Sequence, residues 1–325
     1  MEKGEARLRK LAPVPYGSLF FAPMEGITEE PFRQTILKLY PEWDYIATDF
    51  LRVPSAGKYP MKHLVRHMGK EVMEIPWVVD KTMFQILTSH RAFTEEMVQQ
   101  VVDLDIPWLD LNIGCPSSTV CKNRGGSFLL TDLPALRGLV RTIRNKFPGR
   151  FTCKIRIGYH DTNQFEDSIR MLNDEGAEMI TVHGRTRDDL YKAPARWEFI
   201  KRAVELSQVP IVGNGDIWEV DDIDRMLKTT GCHAVMIARG ALKYPWMAQD
   251  YRRGFTEKRT DRIKEFYGEY KSALEKEDVT LRGLLKQSKS MARFMFDGIE
   301  NGEQIRRSLM LTQTAPEFYQ IIESL

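Results

Sequence analysis

The residues of this chain that could do chemistry sit in short polar turns, each at the end of an apolar run. Positions 112–116 read Asn-Ile-Gly-Cys-Pro, so the Cys115 thiol follows the strand-like run at 108–112 and can face a pocket instead of the core. A lone cysteine is more often buried and inert, so its company decides what it can do. Residues 117–130 hold Ser117, Ser118, Asn123, Gly125 and Gly126, the composition of a pliable loop closing over that pocket. Lys154 lies within Phe-Thr-Cys-Lys-Ile-Arg-Ile at 151–157. An unpaired ammonium is costly in such a run, and either a structural ion pair or an electron-rich ligand would relieve it. Further polar groups stand at the other run ends: Pro23-Met24-Glu25, Gln85, Asn112, Arg156, His183-Gly184-Arg185, Asn214-Gly215-Asp216 and Ala238-Arg239-Gly240.

The elements that must position these groups follow from the spacing. Apolar runs recur at 19–22, 45–48, 83–87, 108–112, 151–157, 179–183, 209–213 and 233–238, with amphipathic stretches such as 133–146, 167–175 and 220–228 between them. Strands alternating with helices predict a parallel sheet covered on its other face. Eight repeats fit an α/β fold of the (β/α)8 TIM-barrel type. A doubly wound sheet would want a Gly-x-Gly-x-x-Gly turn after its first strand, whereas that run ends in Ala22-Pro23-Met24-Glu25-Gly26. In a barrel, loops at the carboxyl ends of the strands build the active site, so all the turns named above converge on one mouth. The small-residue turns at 213–216 and 238–241 expose backbone N–H groups where barrels bind phosphate. Together with Lys154 and Gln85 they suggest a phosphorylated planar cofactor across the mouth.

The chain has 325 residues, 42% of them hydrophobic, enough for a barrel and a smaller domain. Its net charge of +2 gives no global polycation, so any nucleic-acid site must be local. The four cysteines show neither metal nor redox spacing, which suits a reduced, cytoplasmic setting with no metal. The charged start at 1–7 is unlike a signal peptide, and no apolar run is long enough to span a membrane. Beyond Trp246 no strand-like run occurs, so the expected division is a catalytic barrel at 1–246 and a helical domain at 247–325, with breaks near Gly254, Asp278 and Asp297-Gly298. Between Val279 and Phe296 there is no acidic residue, while Arg282, Lys286, Lys289 and Arg293 fall within roughly 60° of helical arc. Leu281, Leu285, Ser288 and Ala292 take the adjacent arc and are expected to pack inward. A charged stripe is usually solvated surface, but one without acids to pair with suits an anionic partner.

The ordered set Ala22-Pro23-Met24, Asn112-Ile-Gly-Cys115-Pro116-Ser117, Lys154-Ile-Arg156-Ile-Gly158, His183-Gly-Arg185-Thr186, Asn214-Gly215-Asp216-Ile217 and Ala238-Arg239-Gly240-Ala241-Leu242 resembles the motifs of the dihydrouridine synthases. Those are flavin-dependent enzymes that reduce uridines in tRNA. The resemblance runs from about residue 19 to 246 and more loosely onward. Its most discriminating part is the cysteine motif with Val120 and the Gly-Gly-Ser-Phe-Leu-Leu tail at 125–130. Thr48-Asp49-Phe50-Leu51-Arg52-Val53 and the turn ending in Trp218 resemble the bacterial branch acting on position 16 of the D-loop. The chain departs from the commoner pattern at Ala238, where Gly is more usual.

The resemblance implies FMN as cofactor and NADPH as reductant, with NADH the alternative. It implies that Pro23, Met24 and Glu25 line the flavin, Gln85 and Lys154 reach its ring edge, and His183 borders it. Asn214, Gly215, Asp216, Ala238 and Arg239 would hold the ribityl-phosphate end. Asn112, Arg156 and Arg185 would meet the substrate uridine or its phosphates. Arg52, Arg282, Lys286, Lys289 and Arg293 would hold tRNA. Cys115 would be the catalytic acid: reducing the C5–C6 bond of uracil takes a hydride to C6 and a proton to C5, and a thiol whose ordinary pKa lies above neutrality can give that proton. A monomer that binds neither DNA nor membrane is expected. Two other classes stay open: a dihydroorotate dehydrogenase-like oxidoreductase of free pyrimidines, and a non-catalytic RNA-binding barrel.

Overall fold

In the computed structural model, described for residues 8–89, 91–254, 258–277 and 279–325, the strands are β1 (Ser18–Phe21), β2 (Tyr45–Ala47), β3 (Leu51–Arg52), β4 (Thr82–Leu87), β5 (Trp108–Ile113), β6 (Arg150–Arg156), β7 (Met179–His183), β8 (Ile211–Asn214) and β9 (Ala234–Ile237). The charged start at 1–7 and the expected break at Asp278 lie outside the described residues. All strand pairings are parallel, and β1 pairs with both β2 and β9 while β2 pairs with β4. Eight strands therefore close on themselves as a barrel. The ninth, β3, lies beside the upper half of β4, with Leu51 opposite Ile86. The second run is thus one barrel position in two pieces, β2 and β3, separated by Thr48-Asp49-Phe50.

Closure explains why the strands read as continuous apolar runs, since both faces of a parallel sheet are covered. Phe20, Ala47, Met83, Trp108, Met179, Val212, Ala234 and Met236 fill the interior. The helices form outside for local reasons as well as packing. Helix Leu133–Lys146 starts at Asp132, whose carboxylate accepts from Ala135 N at 3.0 Å, and it ends with Arg144 and Lys146 against the negative helix end. Helix Val220–Thr230 has a reciprocal capping box between Glu219 and Asp222 and stops at Gly231, φ +70°.

Helix Met247–Arg253 lies on the barrel, Tyr251 Oη donating to Asp224 Oδ1 at 2.7 Å and Arg252 pairing with Asp44 at 3.0 Å. The helical layer proper is Arg259–Lys276, Leu281–Ala292, Gly302–Leu311 and Ala315–Glu323. Phe266 and Tyr270 pack their rings against Phe32 of helix Glu30–Leu39, joining this layer to the barrel in one apolar cluster. The inward face of helix Leu281–Ala292 corrects the expectation. It is made by Leu284, Ser288, Met291 and Ala292, whereas Leu281 is 72% exposed and Leu285 only half-buried. The helix is turned so that Leu284 and Met291 go into the core beside Ser288, whose Oγ meets Tyr319 Oη at 2.7 Å, and Leu281, the first residue past the Thr280 cap, overhangs the end. Among the described residues no helix is long and apolar enough to cross a membrane.

Candidate active site

The carboxyl ends of the strands enclose a cavity of about 370 Å³. It is lined by Pro23, Met24, Glu25, Asn112, Cys115, Lys154, Arg156, His183, Arg185, Asn214, Gly215, Asp216, Ala238 and Arg239, so most of the residues singled out by the sequence do meet. Three groups of expected residues do not line it. Gln85 is fully buried one layer below, Arg52 stands at the rim 3.6 Å from Glu25, and the stripe on helix Leu281–Ala292 is apart.

Cys115 is half-buried and its turn is pinned from both sides. Its N–H donates to Asn112 Oδ1 at 2.9 Å, and its carbonyl accepts from Ser127 N at 3.1 Å and Ser127 Oγ at 2.9 Å. Gly126 makes the second clamp possible. Its φ is +58°, and a Cβ there would come 2.8 Å from Cys115 O and 2.9 Å from Val120 Cγ1. The expected pliable loop is therefore an ordered one, with a short helix at Ser118–Lys122 and a 3-10 turn at Gly126–Thr131. Burial pushes the Cys115 thiol above its ordinary pKa, so it is protonated at neutral pH.

Asn112 is held from beneath. Its Nδ2 donates to Gln85 Oε1 at 2.8 Å, and Gln85 Nε2 donates to Asp110 Oδ2 at 2.7 Å. Thr152 Oγ1 donates to the other Asp110 oxygen at 2.6 Å. The direction of this chain is determined: backbone N–H groups of Gly114 and Cys115 can only donate, so Asn112 must turn its oxygen to them and its NH₂ to Gln85. One N–H of Asn112 remains for a ligand.

Cations converge on the opposite wall. Lys154 Nζ donates to Asn214 Oδ1 at 3.0 Å, and among the described residues no carboxylate pairs with it. Burial, assisted by Arg156, pulls its pKa down to about 8. Arg156 is engaged by carbonyls, donating to Gly114 O at 2.8 Å and Thr186 O at 2.8 Å. Arg185 Nη2 donates to both oxygens of Asp216, each at 2.7 Å, and that carboxylate also accepts from Ala195 N at 2.7 Å. Burial first, then Arg156, Lys154, Arg185 and Arg239, holds His183 well below its ordinary pKa and therefore neutral. Gly215, φ +115°, passes so close to His183 that a Cβ would lie 2.9 Å from its ring. The Arg239 side chain makes no hydrogen bond to any described residue. Its guanidinium lies 4.8 Å from the Tyr191 ring and 4.6 Å from the Trp218 ring, with Asp216 at 3.7 Å.

Several residues escape a reading of the sequence. Tyr191 lines the cavity from a loop with no strand or motif to flag it, and Phe50, which lies within the Thr48-to-Val53 motif without a role implied for it, lines it too. Asp49 accepts from Gly26 N at 2.8 Å and Phe50 N at 2.6 Å, tying the first loop to the second; burial pushes its pKa up to about 6. Residues 50–70 carry no acid but hold Arg52, Lys58, Lys62, Arg66 and Lys70. The last four are exposed and have no ion pair with any described residue. The acid-free criterion that singled out 279–296 would have found them. On helix Leu281–Ala292 itself, Arg282 and Lys286 are exposed, as is Arg293 at its end, but Lys289 turns aside to donate to Met310 O at 2.9 Å and to Thr312 O, capping helix Gly302–Leu311.

The family described as "Dihydrouridine synthase (Dus)" matches residues 20–321. Among similar proteins, a tRNA-dihydrouridine(16) synthase of Pseudomonas syringae pv. tomato is 36% identical, over 70% of this chain and 72% of its own. A tRNA-dihydrouridine(16) synthase of Shewanella oneidensis is 31% identical, over 73% of this chain and 76% of its own. A solved histamine dehydrogenase from Rhizobium sp. 4-9 shares the fold at 12% identity, with a TM-score of 0.55 over 82% of this chain and 51% of that one.

Proposed function

The chain belongs to the dihydrouridine synthase family, flavin-dependent enzymes that reduce uridine in the D-loop of tRNA, and from that premise we propose how its cavity works and which uridine it serves. A free-pyrimidine oxidoreductase and a non-catalytic barrel both fall with that membership. The cavity's donor set fits a phosphorylated, electron-rich ring. Among the described residues Lys154 has no carboxylate partner and the Arg239 side chain makes no hydrogen bond, with Asp216 3.7 Å away; Gly215 and Gly240 line the cavity in turns too tightly packed for side chains, a Cβ on Gly240 falling 2.1 Å from Ile217 O. Pro23, Met24, Glu25, Lys154 and His183 would flank the ring, with Gln85 beneath. Asn214, Gly215, Asp216, Ala238 and Arg239 would hold the phosphate end, as FMN requires. When bound, the flavin supplies the hydride that adds to C6 of uracil.

The chain's own residues complete the reaction. Cys115 Sγ–H delivers the proton to C5, leaving a thiolate that takes a proton back from solvent. The free N–H of Asn112 donates to a uracil carbonyl. Arg156 and Arg185, fixed by carbonyls and by Asp216, keep the cavity cationic for the nucleotide. NADPH is the reductant, and the enzyme is a cytoplasmic monomer under this proposal. Arg52, Lys58, Lys62, Arg66 and Lys70 on the barrel, with Arg282, Lys286 and Arg293 on the helical layer, meet tRNA phosphates. Position 16 is the target, as in the names of its relatives.

The observation that carries this proposal is one cavity holding both a protonated, clamped Cys115 and the unpaired Lys154. The purified protein should take up FMN and show a flavin spectrum. Cys115→Ala should leave reduction of the bound flavin by NADPH intact while slowing uridine reduction by about 10²–10⁴-fold; Cys121→Ala should not. Full activity in Cys115→Ala would remove Cys115 from the mechanism, and a protein that binds no FMN would overturn the cofactor assignment.

A further inference from the structure

Arg239 is unusual among the cavity's cations. Arg156 and Arg185 are fixed through their N–H groups by carbonyls or a carboxylate, and Lys154 by an amide oxygen. Arg239 instead lies against two aromatic rings, its guanidinium carbon 4.8 Å from the Tyr191 centroid and 4.6 Å from the Trp218 centroid. Stacking on a ring engages the π face of the ion and none of its donors. Among the described residues Asp216 is the one carboxylate near enough to compete, at 3.7 Å, but its oxygens already serve Arg185 and Ala195 N.

Trp218 is 37% exposed, and its backbone helps to place it for this contact. Its N–H donates to Asp222 Oδ2 at 2.8 Å within the cap of helix Val220–Thr230. Gly240, the residue after Arg239, lets the turn lie flush: a Cβ there would meet Ile217 O at 2.1 Å and Trp218 Cα at 3.3 Å.

We infer that Trp218, together with Tyr191, is a positioning residue that holds Arg239 through ring contacts, so that its N–H donors stay available to the phosphate end of the cofactor. This rests on the proposed assignment of that end to Arg239. Without the indole, the guanidinium is free to turn to Asp216 or to solvent, and the phosphate must then recruit it at an entropic cost.

The test compares two probes on the flavin-free full-length protein: FMN, and riboflavin, which lacks the phosphate. Trp218→Ala should weaken FMN binding on the order of tenfold, the scale of a partly desolvated cation–π contact, and leave riboflavin affinity unchanged. Trp218→Phe, which keeps a smaller face, should restore most of the loss. In an Arg239→Ala background Trp218→Ala should have no further effect on FMN. Equal weakening of FMN and riboflavin, unchanged FMN binding, or additive losses in the double variant would each overturn the inference. If the unaltered protein discriminates FMN from riboflavin but Arg239→Ala does not abolish that discrimination, the assignment of Arg239 to the phosphate fails separately.

Discussion

Lys154 is the cavity residue whose charge is set closest to working pH. Burial lowers its pKa from 10.5 to about 8, so the flavin-free site carries the charge at pH 7 and loses it as pH rises through 8. FMN affinity of the flavin-free protein should therefore fall between pH 7 and 9. Lys154→Met should bind FMN more weakly at pH 7 and lack that pH dependence, as titration of flavin fluorescence would show. The sign for folding is opposite. The unfolded chain binds more protons than the native one between about pH 8 and 10.5, so this lysine makes the flavin-free protein more stable with rising pH in that window. The wild-type minus Lys154→Met difference in melting temperature should grow accordingly. A flat difference would mean that the ammonium is better solvated than its surroundings imply.

Among the elements, the turn carrying Cys115 depends on Gly126. Gly126→Ala forces a side chain into a left-handed backbone position, costing about 1–2 kcal/mol, and drives a methyl to 2.8 Å from Cys115 O. Uridine reduction should fall at least about tenfold, the effect of misplacing a reacting group, while flavin content stays normal. Loss of flavin in parallel would show that the strain spreads through the barrel mouth. Helix Leu281–Ala292 separates two kinds of cation. Arg282→Ala, Lys286→Ala and Arg293→Ala together should flatten the salt dependence of tRNA binding by about three units of slope, about one per phosphate contact. Lys289→Ala should instead lower the melting temperature, because its ammonium closes the end of helix Gly302–Leu311. A triple variant with an unchanged slope would make the stripe solvated surface.

At the scale of the whole molecule, the barrel and the helical layer form one continuous core, so a tRNA bound to both is presented to the cavity in one orientation. Gln287 of the helical layer donates to Glu29 at 3.0 Å, and the neighbouring Glu30 accepts from Glu71 N at 3.1 Å, just after Lys70. The two acid-free cationic segments therefore flank the same edge of the barrel. Residues that handle uracil must be alike whatever the position modified, so the choice of position belongs to this wider surface. tRNA from cells lacking the protein should lose dihydrouridine at position 16 and keep it elsewhere in the D-loop. Loss at another position with 16 intact would refute the assignment and leave the enzyme class standing.

Sequence alone determined the barrel, because apolar runs and amphipathic stretches at repeat spacing are local properties that survive in any reading of the chain. It also determined most of the cavity lining, because barrel closure brings every strand end to one mouth regardless of detail. Only the tertiary structure decided what depends on contacts across the fold. It placed Gln85 below the cavity instead of in its wall, since its amide is bound on both sides by residues of β5. It turned Lys289 from the surface stripe into a helix cap, and rotated that helix so that Leu281 faces solvent. It brought Tyr191 and Trp218, 27 residues apart in the chain, against the guanidinium of Arg239. Periodicity reports which side of an element is buried; the partner on that side is a matter of long-range packing, and no local pattern encodes it.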